Sequence, residues 1–422
     1  MTLRMMFRPL IEFKVTIMRD DSPKYALRKA LVVTRTSTIL DSVAEVNIGA
    51  STDSYWDIAR SYKLPYLLTP ALYTLVNAIP AMQHLHTIRL SNIFLSRVYL
   101  YTILSSPHLI HLILDTVQLP KMSTFPPTKL RKLTLAMMTC SWGSIQPLIA
   151  QLATSLEYLE LHWCEFLPSS QLQLPSFPCL QELRHHQYYT RSMFPDKDQL
   201  NELLRLGSQV THLHVTGHSN EPVTACRKSL QYLYTSIWVL SDHNFGTEPF
   251  PRLIHLSLRI FQSADTANHL LIPSSFIRNH FPAITSLHLS IPWAFRNCAM
   301  AMARSQHNVQ ALKLVVVGMD CYFPVDVLND QLHQANQAKW PAALQTLTLE
   351  AVQFRGELER GATRCSRWVF DNVVPPVTGL GGAGLKSIGL SLSQPTSRSA
   401  GRERVLSRQW VRAPNDVWQL LE

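Results

Sequence analysis

Apolar and polar residues alternate in a short unit that recurs along this chain. The unit is clear in TSLEYLELHWCEF, residues 154–166, where leucine occupies positions 156, 159 and 161. Counted from its first residue, the unit has the form L-x-x-L-x-L, with other aliphatic residues replacing some leucines. Thirteen copies occur, and they begin at Val43, Leu85, Leu109, Leu130, Leu156, Leu180, Val210, Leu230, Leu253, Ile284, Val309, Leu344 and Leu385.

The spacing of these copies identifies a repeat architecture. The copies that begin at residues 85, 109, 130, 156 and 180 lie 24, 21, 26 and 24 residues apart. This period falls within the ~20–29 residues that are typical of leucine-rich repeats. Later spacings reach 41 residues, which indicates insertions between repeats.

The alternation predicts a β-strand in every copy. Successive side chains of a strand point to opposite faces, so the fourth and sixth residues of each unit face the core. The third and fifth residues, such as Tyr158 and Glu160, then face solvent. Between copies, the apolar spacing predicts helices in the segments 64–79, 144–153, 196–206 and 325–335.

A single unit of this size cannot fold alone, so the units must stack. Ordering 24 residues costs roughly 24–48 kcal/mol of backbone entropy, whereas each buried aliphatic side chain returns only about 1.5–3 kcal/mol. The sequence therefore predicts an α/β leucine-rich-repeat solenoid, a horseshoe with a parallel concave sheet and convex helices. We expect an N-terminal cap or F-box remnant over residues 1–42 and the irregular solenoid over residues 43–391. A basic Ser/Arg-rich tail with a terminal helix is expected over residues 392–422.

Composition supports a folded protein in a reducing compartment. Of the 422 residues, 46% are hydrophobic and 16% charged, and the formal net charge is +10. The seven cysteines are scattered and form no C-x-x-C pair, which disfavours a disulfide framework and a zinc ribbon. Charged residues interrupt the N-terminal segment, so it does not resemble a signal peptide. We expect a cytoplasmic or nuclear protein with no membrane partner.

The repeats resemble those of fungal F-box/leucine-rich-repeat proteins. The resemblance rests on the L-x-x-L-x-L strands, the long irregular repeats, and the proline that often precedes a strand, as in SSPHL, SFPCL, PFPRL and HFPAI. It covers residues 43 to about 391. Cys164 occupies the ninth position of its repeat, where this family often places cysteine. Other residues take that position elsewhere, namely Val117, Met138, Phe261, Val317 and Val352.

The resemblance implies a substrate receptor of a cullin-type ubiquitin ligase. Proteins of this family hold a substrate on the solenoid and dock a Skp adaptor through an N-terminal F-box. Here the nearest match to the start of an F-box is RPLIEF, residues 8–13, and nothing like the helices and tryptophan that should follow occurs before Val43. The F-box itself is therefore not evident in this sequence.

The solvent-facing positions of the central strands provide the candidate binding residues. They are rich in tyrosine, histidine and arginine, which anchor many protein interfaces. A solvated polar face would also explain them, since tyrosine and threonine favour strands. The partner-binding candidates are Tyr158, Glu160, His162, Arg184, His186, His212, His214, Tyr232, Tyr234, His255 and Arg259.

Other chemistries receive less support from the sequence. His212, His214 and His218, with His186 and His255, could offer imidazoles to zinc, but no carboxylate or cysteine completes a known spacing. The alternative is a hydrogen-bonding surface that gains charge below about pH 6.5. Acid–base chemistry by Glu160 and Glu182 is disfavoured because Arg184 would neutralise them.

Nucleotide and nucleic-acid binding are also disfavoured. GLGGAG, residues 379–384, precedes a predicted strand, whereas a dinucleotide-binding glycine motif opens a helix. Basic residues are spread along the chain, with a single local cluster at 398–412.

We therefore expect a non-enzymatic partner-recognition protein that uses neither a cofactor nor a metal and binds a protein on its concave face. A Skp adaptor is the second expected partner. The alternative is a structural interaction scaffold that has no connection with ubiquitination.

Overall fold

A computed structural model describes most of the chain as strands joined by helices and turns. The described residues are 13–18, 21–50, 69–162, 164–167, 176–186, 209–216, 221–236, 240, 247–259, 274–292, 307–318, 343–353, 385–395, 402–412 and 418–421. The predicted helices at 196–206 and 325–335, the glycine-rich segment 379–384, His218 and Phe261 lie outside them. The chain divides into two compact units, residues 1–210 and 211–422.

The first unit contains a parallel sheet of seven strands in chain order. Its strands are β1 Phe13–Met18, β2 Val43–Ala50, β3 Thr87–Ser91, β4 His111–Asp115, β5 Lys132–Ala136, β7 Tyr158–His162 and β9 Glu182–His186. The short strands β6 Thr139–Ser141 and β8 Glu165–Leu167 form a separate parallel pair. The helices are α1 Pro23–Arg35, α2 Ser37–Leu40, α3 Thr69–Ala78, α4 Arg97–Leu104 and α5 Trp142–Leu152.

The second unit contains seven parallel strands followed by two antiparallel ones. The parallel strands are β10 His212–Thr216, β11 Tyr232–Ser236, β12 His255–Arg259, β13 Ser286–Pro292, β14 Ala311–Gly318, β15 Thr346–Gln353 and β16 Ser387–Pro395. The antiparallel strands are β17 Arg402–Arg412 and β18 Trp418–Leu421, and the helices are α6 Glu221–Ala225 and α7 Ser274–His280.

The expected fold class is confirmed at the level of a mostly parallel α/β arrangement. All thirteen predicted strands are present, and neighbouring repeats pair residue for residue: Leu112 lies beside Leu133, and Leu133 beside Leu159. A shared carbonyl fixes this register, since the second and third residues of a repeat both donate their N–H to one oxygen of the preceding repeat. Ile110 and His111 donate to the carbonyl of His86, and both bonds are 2.9 Å long.

Burial follows the predicted alternation. Within the described residues, the aliphatic side chains at the fourth position of every repeat are buried, as Leu133, Leu159 and Leu256 illustrate. The apolar stripe of α5 is also buried, as predicted, with Ile145, Leu148, Ile149 and Leu152 all inaccessible to solvent. The ninth-position residues Val117, Met138 and Cys164 lie in the core too, and the Cys164 thiol donates to the Leu135 carbonyl at 3.1 Å.

In three consecutive repeats of the first unit, the chain leaves the strand through a residue with a positive φ angle. Asn92, Thr116 and Met137, each the eighth residue of its repeat, adopt φ angles of 53°, 55° and 48°. Their N–H groups donate to the strand of the following repeat, to Asp115, Ala136 and His162 respectively, at 2.7–2.9 Å. The inter-repeat hydrogen bond compensates for a conformation that is costly for a β-branched residue such as Thr116.

The structure adds detail to the predicted N-terminal segment and corrects the predicted C-terminal one. Residues 13–42 form a strand and two helices, and β1 pairs in parallel with β2, so this segment supplies a further strand–helix unit. In the segment 392–422, expected to be a basic tail with a terminal helix, residues 392–395 complete β16, and residues 402–412 and 418–421 form β17 and β18. The tryptophan-containing end, Trp418–Leu421, is a strand that pairs with Gln409–Arg412.

The sixth position departs from the aliphatic pattern in two repeats, where His185 and Thr235 are buried. His185 occupies the sixth position of its repeat, where most repeats carry leucine, and its side chain is buried. Burial lowers the pKa of His185 to about 4, and the neighbouring His186 contributes in the same direction. The imidazole is therefore neutral in the folded protein at pH 5, whereas in the unfolded chain it binds a proton below about pH 6.5.

We expect His185 to make the first unit less stable as the pH falls from 6.5 towards 4. Because the unfolded chain gains the proton first, this residue alone should lower the free energy of unfolding by about 2 kcal/mol between pH 8 and pH 5. His185→Leu restores the leucine pattern and should remove that share of the pH dependence. Urea denaturation of both proteins at the two pH values measures it, and an unchanged pH dependence in the variant would contradict the assignment.

We also expect Leu159→Asp to disrupt the first unit. Leu159 has no exposed surface, so the substitution buries an unpaired carboxylate at a cost of about 4 kcal/mol or more. Thr154→Asp is the matched control, because residue 154 is exposed. Circular dichroism during thermal unfolding should show a large loss for the first variant and little change for the second.

Candidate functional site

The candidate residues lie on the sheet face opposite the aliphatic core. We call this the polar face: in each unit it carries the third, fifth and, where β-paired, seventh residues of the repeats. None of the eleven candidates is buried, and Tyr232, with 37% of its surface exposed, is among the most accessible. The predicted orientation of these side chains is therefore confirmed, whereas their role in binding is not tested by it. Because the chain divides into two units, the candidates form two groups.

The first polar cluster consists of Tyr158, Glu160 and His162 on β7 with Arg184 and His186 on β9. The register places Glu160 beside Arg184 and His162 beside His186. The rings of His162 and His186 meet edge to face, with centroids 4.9 Å apart. The Arg184 guanidinium lies 5.4 Å from the centre of the Tyr158 ring, within the range of a cation–π contact.

Glu160 is the centre of this cluster. Its Oε2 accepts hydrogen bonds from the Tyr158 hydroxyl at 2.6 Å and from the Thr134 hydroxyl at 3.2 Å. Its Oε1 lies 3.7 Å from His186 Nε2. Thr134 in turn lies 3.2 Å from His111 Nε2, so one chain of polar contacts from His111 to His186 joins four strands. A short bond to a carboxylate is among the stronger kinds of hydrogen bond, so it should hold Tyr158 in one orientation.

The charges of this face are largely paired. Arg184 Nε donates to Glu182 Oε1 at 2.7 Å, in agreement with the expectation that Arg184 neutralises Glu182. The Arg89 guanidinium lies 3.4 Å from the Asp115 carboxylate. Burial, followed by the hydrogen bond to Glu160 and its charge, raises the pKa of Tyr158 well above its ordinary value. The phenol therefore stays protonated and acts as a donor, not as a base.

The second polar cluster is a ladder of histidine and tyrosine rings in contact, with an arginine at the end of one strand. It consists of His212 and His214 on β10, Tyr232 and Tyr234 on β11, and His255 and Arg259 on β12. The register aligns His212, Tyr232 and His255 in one row and His214 with Tyr234 in the next. His212 and Tyr232 stack with centroids 4.1 Å apart and planes 9° from parallel.

Hydrogen bonds extend the ladder to β13. His255 Nδ1 lies 2.8 Å from Ser286 Oγ, and Ser257 Oγ lies 3.0 Å from His288 Nδ1. The centroids of His214 and Tyr234 are 3.7 Å apart, and those of Tyr232 and His255 are 5.7 Å apart. Arg259 lies at the end of β12, in register with Ser236 and Ser290, and its side chain is exposed.

Burial shifts several imidazoles away from protonation at neutral pH. It lowers the pKa of His111, where Lys132 adds to the effect, and it lowers the pKa of His162 and of His255. These histidines should therefore become charged at a lower pH than the free imidazole value of about 6.5.

The zinc hypothesis gains no support from the residues that the structure describes. Among them, no group of three or more histidine, cysteine or acidic side chains comes close enough to hold a metal ion. His212 and His214 belong to different rows, and each ring contacts a tyrosine of the next strand, His212 by stacking on Tyr232 and His214 in a tilted arrangement with Tyr234. His218 falls outside the described part of the chain.

Several residues of these networks were not among the selected candidates. His111, Thr134, Ser257, Ser286 and His288 all occupy the third or fifth position of a repeat. Selection by residue type favoured arginine and the aromatic residues of the central strands. The alignment of repeat positions would have predicted these five residues as well, because it places their side chains beside those of the candidates.

Comparison with known proteins adds no family. No protein-family model matches this chain, and no curated protein sequence matches it either. Within the described residues, no helix is both long enough and apolar enough to cross a membrane.

We expect Tyr158→Phe to reveal the hydrogen bond to Glu160. The ring and its contacts with Arg184 and His111 remain, so the loss should be about 1–1.5 kcal/mol in the free energy of unfolding. Tyr232→Phe is the control, since the Tyr232 hydroxyl has no hydrogen-bond partner in the described structure, and it should be nearly neutral. Equal losses in the two variants, measured by urea denaturation at pH 7, would contradict the central role of Glu160.

Proposed function

We propose that this protein is a leucine-rich-repeat protein that binds a protein partner through the polar faces of its sheets, without enzymatic activity. Thirteen L-x-x-L-x-L strands that pair in register within each unit support the repeat class. The observation that carries the binding proposal is the set of tyrosine and histidine rings in contact on β10, β11 and β12, in which His212 stacks on Tyr232. Tyrosine and arginine are enriched among the residues that contribute most to binding.

Preorganisation of this surface favours binding over mere solvation. A flexible side chain loses about 0.5–1.5 kcal/mol of entropy when a partner immobilises it. His212 and Tyr232 are already held against each other by stacking, and Tyr158 is held by a 2.6 Å hydrogen bond. A partner would therefore meet side chains that have little freedom left to lose.

The charges of the first polar cluster favour recognition over catalysis. Glu182 is bonded to Arg184, and Glu160 accepts from two hydroxyl groups. A general base would need a carboxylate oriented towards a substrate, and a nucleophilic tyrosine would need a lowered pKa. The opposite shift at Tyr158 fits a hydrogen-bond donor to a partner or to its own sheet.

The link to a Skp adaptor is the second part of the family resemblance. Residues 13–42 form β1, α1 and α2, and β1 pairs directly with the first predicted repeat strand. This observation favours the scaffold alternative, in which the repeats bind a partner without an F-box in that segment. The adaptor-linked function then depends on RPLIEF, residues 8–13.

We expect the triple variant Tyr158→Ala, His212→Ala, Tyr232→Ala to lose partner binding. Immobilised wild-type protein and variant are compared by quantitative mass spectrometry of captured proteins, and the strongest interactor is then purified and its affinity measured. Loss of three anchoring side chains should weaken that affinity by at least tenfold, since hot-spot residues contribute about 2 kcal/mol or more each. The thermal transition should move by no more than about 10 °C, a shift that includes the loss of the Tyr158 hydrogen bond to Glu160.

The control for this experiment is Thr69→Ala with Asn77→Ala, on the exposed side of α3. Equal affinity of the triple variant and the wild-type protein would mean that the polar faces are not the binding surface.

Co-expression with a Skp adaptor tests the proposed link to that adaptor. Leu10→Asp is preferable there to deletion of residues 1–42, because the deletion removes β1 and exposes the buried side of β2.

A further inference from the structure

The helices of the first unit expose an unusual amount of apolar surface. Tyr25 and Val32 of α1, Tyr73 of α3, and Val98 and Tyr101 of α4 each expose more than half of their surface, and Val98 reaches 70%. Isolated exposed apolar residues are common, but a group on neighbouring helices marks an interaction site more often.

These residues lie on one continuous helix layer. Helix α1 packs against α3, and α3 packs against α4. The rings of Tyr73 and Tyr99 are 6.0 Å apart and join the last two helices. On α1, the exposed residues follow the helical period, at 25, 28, 32 and 35. We call the exposed side of this layer the helix surface: Tyr25, Arg28, Val32, Arg35, Tyr73, Arg97, Val98 and Tyr101.

All charged residues of α1, α3 and α4 are positive. Helix α1 carries Lys24, Arg28, Lys29 and Arg35, α4 begins with Arg97, and none of α1, α3 and α4 contains an acidic residue. Within the described residues, the only salt bridge made by these five cations joins Lys29 to Asp21 at 3.9 Å. The polar face of the same unit differs, since Lys14, Arg89 and Arg184 each have a carboxylate partner.

We infer that the helix surface binds an acidic amphipathic segment of a protein partner, at a place distinct from the polar faces. Carboxylates of the partner would meet Arg28, Arg35 and Arg97, while its apolar side chains would cover Tyr73, Val98 and Tyr101. A second copy of this chain does not fit, because two surfaces with unpaired positive charge repel each other. An anionic membrane fits less well, because the large apolar side chains that α1, α3 and α4 themselves expose are tyrosine and valine, whereas interfacial helices typically carry tryptophan, phenylalanine or leucine. Tyrosine and arginine are the residues enriched in protein interfaces.

The test uses a fluorescein-labelled helical peptide built from glutamate and leucine, with fluorescence anisotropy of the full-length protein as the readout. Two matched peptides replace every glutamate by lysine or every leucine by serine. We expect the first peptide to bind at least tenfold more tightly than either control, and its affinity to fall when NaCl rises from about 50 mM to about 500 mM.

Protein variants locate the binding surface. Arg28→Glu with Arg35→Glu, and separately Tyr73→Ser with Tyr101→Ser, should each weaken peptide binding at least tenfold. Arg252→Glu with Lys386→Glu makes the same charge change at exposed positions of the second unit and should leave binding unchanged. The triple polar-face variant should also bind normally, so this inference and the proposed function can fail separately. Thermal unfolding monitored by circular dichroism checks that every variant is folded.

Two results would overturn the inference. One is peptide binding that the two helix-surface variants do not weaken. The other is binding of vesicles of phosphatidylcholine with phosphatidylserine that the helix-surface variants abolish, in the absence of preferential binding to the acidic peptide. The second result would assign the surface to a membrane.

Discussion

Residue-for-residue pairing of consecutive strands is the constraint on which the rest of the structure depends. One carbonyl in each repeat accepts two N–H groups from the next repeat, as the His86 carbonyl does from Ile110 and His111. A slip by one residue would turn every leucine towards solvent and every polar side chain towards the core. The same bonds therefore place Leu112, Leu133 and Leu159 in one buried row and Thr134 and Glu160 together on the polar face. The same strand register therefore determines which side chains form the core and which form the candidate site.

The fold was predictable wherever the alternation was strong. The thirteen L-x-x-L-x-L units predicted the strands. A helix was predicted from the spacing of Ile145, Leu148, Ile149 and Leu152. The termini were not predictable in this way. In β1 only Val15 and Ile17 alternate as buried residues, which is too short a pattern to distinguish from chance. In β17 arginines dominate the sequence, and basicity suggested a solvated tail. Its pairing with β16 is antiparallel, so no repeat period could have indicated it.

The site was predictable in its positions but not in its contacts. Alternation alone placed Tyr158, His212 and Tyr232 on the solvent side of their strands. It could not show that Tyr158 bonds to Glu160 two residues away, or that Thr134 joins the same carboxylate from the next strand. Those contacts depend on side-chain rotamers and on which repeat follows which. The stacking of His212 on Tyr232 follows from register, because parallel strands lie only about 4.8 Å apart.

The two sides of the first unit carry different electrostatic surfaces. On the polar face, Lys14, Arg89 and Arg184 each lie within 3.4 Å of a carboxylate, so the fields of these charges largely cancel at a distance. On α1 and α4, four of five cations have no carboxylate partner within the described structure, and their fields add. The unpaired cations of α1 and α4 therefore attract acidic groups over a longer distance than the paired charges of the polar face do. Part of the net charge of +10 is thus concentrated on the exposed side of α1 and α4.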